Sequence, residues 1–405
     1  MPSLPTTISV DAFARRLWRG KARPVALAML FAACSSQART QDFLGPVGEE
    51  IAISPGTQIQ QVVNQNPPGT RFLLKAGVHT GQAVTPKDAM VFRGEPGTVM
   101  DGQHLTKFAF AGGAVGVLIQ DLEITGYLAD STLGAIQGYD ARGWTLQNLN
   151  VHHNATYGAN LRNDFRVLGG TFHHNGRLGI GVTQGANGLI DGVDLSFNNP
   201  DTLFDPLWEA GGIKISISDD VTVHGCAVHD NVGPGIWYDG DNRGSVVSAN
   251  VVTGNTQIGI MYEISLSAVI QGNTISGNGS ATTGPNGAGI LVSASQDVEV
   301  HHNVLVGNAN GIIGLQEERG SGRYGRHLVT NLWVHDNDVT LAVGTSGLLD
   351  FIRDGTLYTR NNRFDHNAYN ITGNSLPFWI DALIRVSRAA WQARGLDPTS
   401  TFTGP

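Results

Sequence analysis

The sequence predicts an all-β fold: a single-stranded right-handed parallel β-helix, closed by short N-terminal and C-terminal helical caps. Three observations carry this expectation. The composition combines 53 glycines and 41% hydrophobic residues with only 15% charged residues, which suits many short strands separated by tight turns. One phrase recurs through the chain, an alternating apolar strand ending in asparagine. A recurring glycine is followed, one residue later, by a column of isoleucines.

The repeat is plainest in Trp144 to Asn154, Val221 to Asn231, Ser245 to Asn255 and Ala268 to Asn278. Its closing asparagines, Asn154, Asn175, Asn198, Asn231, Asn255, Asn278 and Asn308, are 21, 23, 33, 24, 23 and 30 residues apart. The shorter steps define the rung, and the two longer ones contain insertions. At about 3.3 Å per residue such a rung holds two or three short strands, stacked at roughly 4.8 Å. The chirality of parallel crossovers makes the coil right-handed. Asparagine suits the closing position because it tolerates the left-handed conformation and its amide can bond to its counterparts above and below. The pairs His152-His153, His173-His174 and His301-His302 precede some of these asparagines. Adjacent strand residues face opposite ways, so the pairs read as structural and no metal site is expected.

A solenoid needs its ends covered. Thr57 to Val63 reads as a short amphipathic helix, followed by a strand at Arg71 to Leu74. Residues 377–394, with Trp379, Ile380, Leu383, Ile384, Val386 and Trp391, read as a helical cover that Gly395 terminates. The expected organisation is an export signal over 1–33, a linker over 34–50 and one β-helix domain over 51–405. The signal consists of the basic stretch Arg15 to Arg23 and a short apolar run from Pro24 to Ala33. Leu30 to Cys34 resembles a lipobox, which would place lipid on Cys34 and anchor the chain to a membrane; cleavage near Ala38 is the alternative. Either way the chain is expected outside the cytoplasm, in the periplasm, on the outer membrane or beyond. The net charge is −8, and from Cys34 onward it is −12. An acidic body argues against nucleic acid as a partner. With only two cysteines no disulfide framework exists, and Cys226 reads as a small buried hydrophobe.

The phrases Glu209 to Lys214, Gly233 to Asn242 and Gly259 to Ser265 resemble bacterial right-handed parallel β-helix repeat proteins of the pectin lyase-like superfamily. The resemblance runs over roughly residues 51–397. It implies a carbohydrate-active enzyme, the known activities being lyases, hydrolases, methylesterases and epimerases. One solenoid hosts several chemistries, so the reaction must be argued from residues.

Aligned on the opening glycine, the second outward position reads Asn160, Gly181, Lys214, Trp237, Met261, Leu291, and the fourth reads Arg162, Thr183, Ser216, Asp239, Glu263, Ser293. Asp239 and Glu263 are 24 residues apart, one full rung. Their backbones should therefore lie roughly 4.8 Å apart, with Lys214 within reach of Asp239. Two stacked carboxylates repel, so one should hold its proton to higher pH, the condition for a general acid beside an ionised base or nucleophile. A salt-bridge ladder with Lys214 or Arg243 is the competing structural reading. The leading expectation is a glycoside hydrolase acting on a polysaccharide or oligosaccharide. Asp239, Glu263 and Lys214 form its catalytic group, Trp237 and Trp208 its sugar platforms, and Glu209, Asp241, Asn242 and Arg162 further contacts. It needs no cofactor. The alternatives are a uronate lyase, with Lys214 or Arg162 as base and Ca²⁺ held by the acids, and a glycan-binding solenoid without catalysis. The apolar outward residues Met261, Leu291 and Ile313 call for a cover, for which Gln316 to His327 is the candidate.

Overall fold

The computed structural model describes residues 49–404 apart from Ser131 and Thr283. The expected export signal, Cys34 and nearly all of the expected linker lie outside the described residues. From Ile51 the chain winds in rungs of short strands, because apolar residues alternate with polar ones and turn formers break each run. One face is a 12-stranded sheet, parallel throughout except for its last pair, Phe378–Ile380 against Ile384–Val386. The other two faces merge into a 24-stranded sheet, since Thr145–His152 and Arg166–His173 run across the corner between them.

The expected isoleucine column is the core. Ile180, Ile213, Ile236, Ile260, Ile290 and Ile312 pair in register from rung to rung and are buried. Each such side chain removed from water contributes about 1.5–3 kcal/mol. The residue before them is glycine because a Cβ at Gly212, Gly235 or Gly259 would run into the next rung's carbonyl and the side chains lining the interior.

The asparagines stack inward. The Nδ2 of Asn154, Asn175, Asn198, Asn231, Asn255 and Asn278 each donates to Oδ1 of the next asparagine, at 2.8 to 3.2 Å. A second ladder runs through Asn250, Asn273, Asn303, Asn337 and Asn367. One expectation needs correction: the left-handed residue is the one before the asparagine. His153, His174, Phe197 and Asp230 have φ of 51° to 53°, and Gly254 and Gly277 take the same place. The turn occurs one residue early so that the amide can point into the solenoid and satisfy buried backbone groups.

At the N-terminal end a helix spans Ile59–Gln65 and buries Ile59 and Val63 against the first rungs. The C-terminal cover is less helical than expected. Phe378–Ile380 and Ile384–Val386 form a hairpin, and the helix is only Arg388–Gln392. Phe378, Trp379 and Ile380 are all buried, a pattern an extended edge strand can satisfy and a one-sided helix cannot. Trp391 closes the end, stacked on Phe378 at 4.8 Å. Cys226 is buried, and burial pushes its thiol up to about 12.

Candidate active site

The 12-stranded sheet turns its odd positions inward, so the intervening side chains form outward columns in strict register. Ser216, Asp239, Glu263 and Ser293 are consecutive partners in one column, and Lys214, Trp237, Met261 and Leu291 in the other. Parallel neighbours stand about 4.8 Å apart, which places the two carboxylates side by side.

Lys214 reaches one rung along. Its Nζ lies 2.8 Å from Asp239 Oδ2 and 3.6 Å above the Trp237 ring, and it donates to the carbonyl of Trp208. Glu263 is 5% exposed. Trp237 Nε1 donates to its Oε2 at 3.2 Å, and Arg319 pairs with its Oε1. Burial, then the charge of Asp239, pushes the Glu263 carboxyl above the usual range, while Arg319 and the Trp237 hydrogen bond pull the other way. Beside Glu263, the buried Ser293 Oγ has no hydrogen-bond partner among the described residues.

Trp237 is not the open platform the sequence suggested. Only 4% exposed, it is covered by Lys214 and forms the floor that orients Glu263. Trp208 is the accessible indole, 70% exposed at the end of the insertion before Gly211, with Lys214 Nζ 6.0 Å from its ring. Glu209 secures that insertion: its carboxylate pairs with Arg177 at 2.6 Å, and the guanidinium covers Tyr157 and Phe204.

Asn242 is buried. Its amide accepts from Ser218 N and donates to Ile215 O and Ser265 Oγ, so it is an inner rung contact of the same kind as the asparagine ladders. Arg162 lies three rungs from Asp239, roughly 14 Å at the strand spacing. It stacks on Tyr139 and bonds to Gln184, which takes it out of the cluster.

Asp241 stands at the strand end and holds a hairpin that supplies the residue the sequence reading missed. Ser321–Gly322 pairs with Gly325–Arg326. Arg323 N donates to Asp241 Oδ1, His327 Nε2 lies 3.2 Å from the same oxygen, and Arg323 and Tyr324 both reach Asp219. Gly322 passes so close to the Asp241 carboxylate that a Cβ would collide with it. Thus Gln316 to His327 does lie over this end of the sheet and delivers Arg319 onto Glu263. The signal was the charge-rich, glycine-broken run Glu317 to Arg326, but its spacing from Glu263 is unrelated to the repeat. Beyond it, Leu291, Ile313, Leu315 and Leu349 are buried with Ile258, Ala288 and Trp379 in a second apolar cluster, against which Met261 packs. Among the described residues no three or more His, Cys, Asp or Glu side chains gather as a metal site.

A family model described as "Right handed beta helix region" matches residues 134–305. A search of curated protein sequences finds no match. Solved structures are similar across most of the chain. One is the AlgE6 A-module of the Azotobacter vinelandii mannuronan C-5 epimerase, 15% identical, TM-score 0.57, covering 85% of this chain and 92% of that one. Another is a mannuronic acid specific polysaccharide family 6 lyase from human gut microbiota, 18% identical, TM-score 0.59, covering 86% and 85%. The catalytic domain of a GH87 α-1,3-glucanase is 13% identical, TM-score 0.58, covering 89% and 69%. At these identities the likeness establishes the fold.

Proposed function

We propose that this chain, a right-handed parallel β-helix protein of the pectin lyase-like kind, is a carbohydrate-active enzyme and, more narrowly, a glycoside hydrolase whose acid and base are Glu263 and Asp239. The observation that carries the reading is the in-register pairing of the two carboxylates, one raised by burial and the other against the Lys214 ammonium. On this reading Glu263 gives its proton to the departing glycosidic oxygen. Asp239, paired with Lys214 at 2.8 Å, either activates water or attacks the anomeric carbon. Trp208 offers the exposed ring on which a sugar stacks. Arg319 must move off Glu263 as substrate enters, because a carboxyl that is only 5% exposed cannot reach a glycosidic oxygen while capped.

A second reading rests on Lys214 and Arg319. The Arg319 guanidinium beside the carboxylate pair could hold a uronate carboxylate, and the similar structures include an epimerase and a lyase of mannuronate polymers. Lys214, as the neutral amine after passing its own proton to Asp239 or solvent, would then abstract the proton α to that carboxylate. Asp239→Asn, Glu263→Gln and Lys214→Ala, run on a polysaccharide panel, separate the readings. The hydrolase releases reducing ends without unsaturated-uronate absorbance and loses about 10²–10⁴ in turnover in both carboxamide variants. Full activity in both would remove the assignment, and absorbance abolished chiefly by Lys214→Ala would replace it with the lyase. The signal-like segment over 1–33 supports an activity outside the cytoplasm. Cys34→Ala with unchanged mass and fractionation would exclude a lipid anchor.

A further inference from the structure

The left-handed residue before each ladder asparagine brings the side chains of two consecutive residues together on the outer surface. Where both are histidine, their rings meet edge to edge. Nδ1 of His152 lies 2.8 Å from Nδ1 of His153, and Nδ1 of His173 lies 2.9 Å from Nδ1 of His174. The two pairs occupy adjacent rungs. His152 stacks on His173 at 4.8 Å, and His153 on His174 at 5.1 Å. This reverses the expectation that neighbouring histidines must diverge, since φ of 51° at His153 and His174 turns their rings back.

The far nitrogen of each inner ring is already occupied. His152 Nε2 lies 3.2 Å from Glu123 Oε1, and His173 Nε2 lies 3.1 Å from Asn150 Oδ1. An acceptor there keeps the proton on Nε2 and leaves the Nδ1 lone pair facing the partner ring. Thr125 Oγ1, 3.3 Å from His152 Nδ1, is placed to donate to that lone pair when no ion is bound and must turn away when one is.

We propose that the His152/His153 and His173/His174 ladder is a binding site for a borderline divalent transition-metal ion, Cu²⁺, Ni²⁺ or Zn²⁺, chelated by the two Nδ1 atoms of a pair, the outer ring of which moves its proton from Nδ1 to Nε2 as the ion binds. Imidazole suits these ions, with Cu²⁺ held most tightly. Two nitrogens at about 2.0–2.1 Å from an ion, at an angle between square-planar and tetrahedral, stand about 2.8–3.4 Å apart. The observed separations of 2.8 and 2.9 Å lie at the short edge of that range. A pair supplies two ligands and solvent the rest, consistent with no cluster of three or more metal-binding side chains among the described residues. His152/His153 fills first, because a charged carboxylate, Glu123, fixes the tautomer and orientation of its inner ring, where His173 has only the neutral Asn150 amide. A second dication one rung away, at about 4.8 Å, is repelled. The ladder belongs to the 24-stranded sheet, whereas Asp239 and Glu263 stand on the 12-stranded one, so the site is independent of the proposed hydrolysis. A third pair, His301/His302, has Nδ1 atoms 2.7 Å apart. It stacks on His335 rather than on another pair, and among the described residues its inner Nε2 has no carboxylate partner like the one Glu123 gives His152, so it should fill only after the first equivalent and serves as the internal control for it.

The test is calorimetric titration of the untagged protein with Cu²⁺ and with Ni²⁺, alongside electron paramagnetic resonance of the Cu²⁺ form. The first equivalent should show nitrogen hyperfine structure from imidazole. His153→Asn, which tolerates the left-handed backbone, and Glu123→Gln should each weaken it at least about tenfold with the melting temperature kept. His302→Asn should leave it unchanged. Affinity unaltered in both His153→Asn and His174→Asn, or a loss confined to His302→Asn, would overturn the assignment.

Discussion

Replacing Glu263 by glutamine probes the site without needing its substrate. The carboxylate accepts two hydrogen bonds, Arg319 at Oε1 and the Trp237 indole at Oε2. A carboxamide has one acceptor oxygen and presents an NH₂ on its other side, so one of the two donors is left unmatched. An unsatisfied buried donor costs about 1–3 kcal/mol. Opposing that, glutamine removes a charge that burial and Asp239 both disfavour, and this relief grows with pH. Because the Glu263 carboxyl is raised above its ordinary 4.5, its extra proton binding stabilises the wild type fully below 4.5. That contribution is lost as pH rises through the folded value. The wild type should therefore lose stability upward from pH 4.5 relative to Glu263→Gln, and the deficit of the variant should narrow. Arg319→Met supplies the second axis. Alone it strands a buried carboxylate beside Asp239, whereas in the Glu263→Gln background it removes a cation that has already lost its counter-charge. Coupling between the two should be on the order of 0.5–3 kcal/mol, toward the lower end because Arg319 is 31% exposed. Urea unfolding of the four proteins at several pH values, followed by circular dichroism, measures it. Strictly additive losses, or a constant gap between wild type and Glu263→Gln across the range, would refute the reasoning.

Asn231→Ala removes the acceptor for Asn198 N and Asn198 Nδ2. Two orphaned donors predict a loss of about 2–6 kcal/mol, and native-state hydrogen exchange should show it concentrated in adjoining rungs; a uniform loss below about 1 kcal/mol would contradict the ladder's role. The hydrogen bonds of Asp194 and then Asp230 raise His229 to about 9 from 6.5. This stabilisation is complete below 6.5 and fades as pH rises through 9, so a melting curve over that interval should fall more steeply for the wild type than for His229→Gln. Trp208→Ala should leave the melting temperature within experimental error while weakening oligosaccharide binding in titration calorimetry, since an indole that is 70% exposed stabilises little; unchanged binding would remove Trp208 as a platform.

The solenoid was legible because periodicity is a property of the chain itself. A 24-residue step from Asp239 to Glu263 becomes a neighbouring strand position as soon as rungs stack. Lys214 against Asp239 followed from the same arithmetic. What stayed hidden depended on features without a period. The Arg319 hairpin comes from an insertion 56 residues after Glu263, and no repeat relates the two. Trp237 looked exposed because alternation gives the direction of a side chain and not what lies above it, here the Lys214 ammonium. Asn242 looked like part of the polar column, but a left-handed residue at Asp241 breaks the alternation just before it and turns the amide inward. The same break at His153 and His174 misled the reading of the paired histidines. The C-terminal cover failed as a helix because a run apolar on every side suits a buried edge strand equally well.

The corner before each asparagine divides labour within the rung. The inward amide holds the spacing, while the two residues ahead of it stand on the outer side of the corner and differ from turn to turn: His-His, His-His, Ser-Phe, His-Asp, Thr-Gly, Ser-Gly and Val-Gly. The outer pair can therefore be changed without disturbing the column that sets the pitch wherever its second residue accepts a positive φ and its neighbours leave room for a side chain. The corner is thus a rack of interchangeable two-residue slots at about 4.8 Å intervals, on which a designer could compose a linear array of ligands, charges or rings in a chosen order.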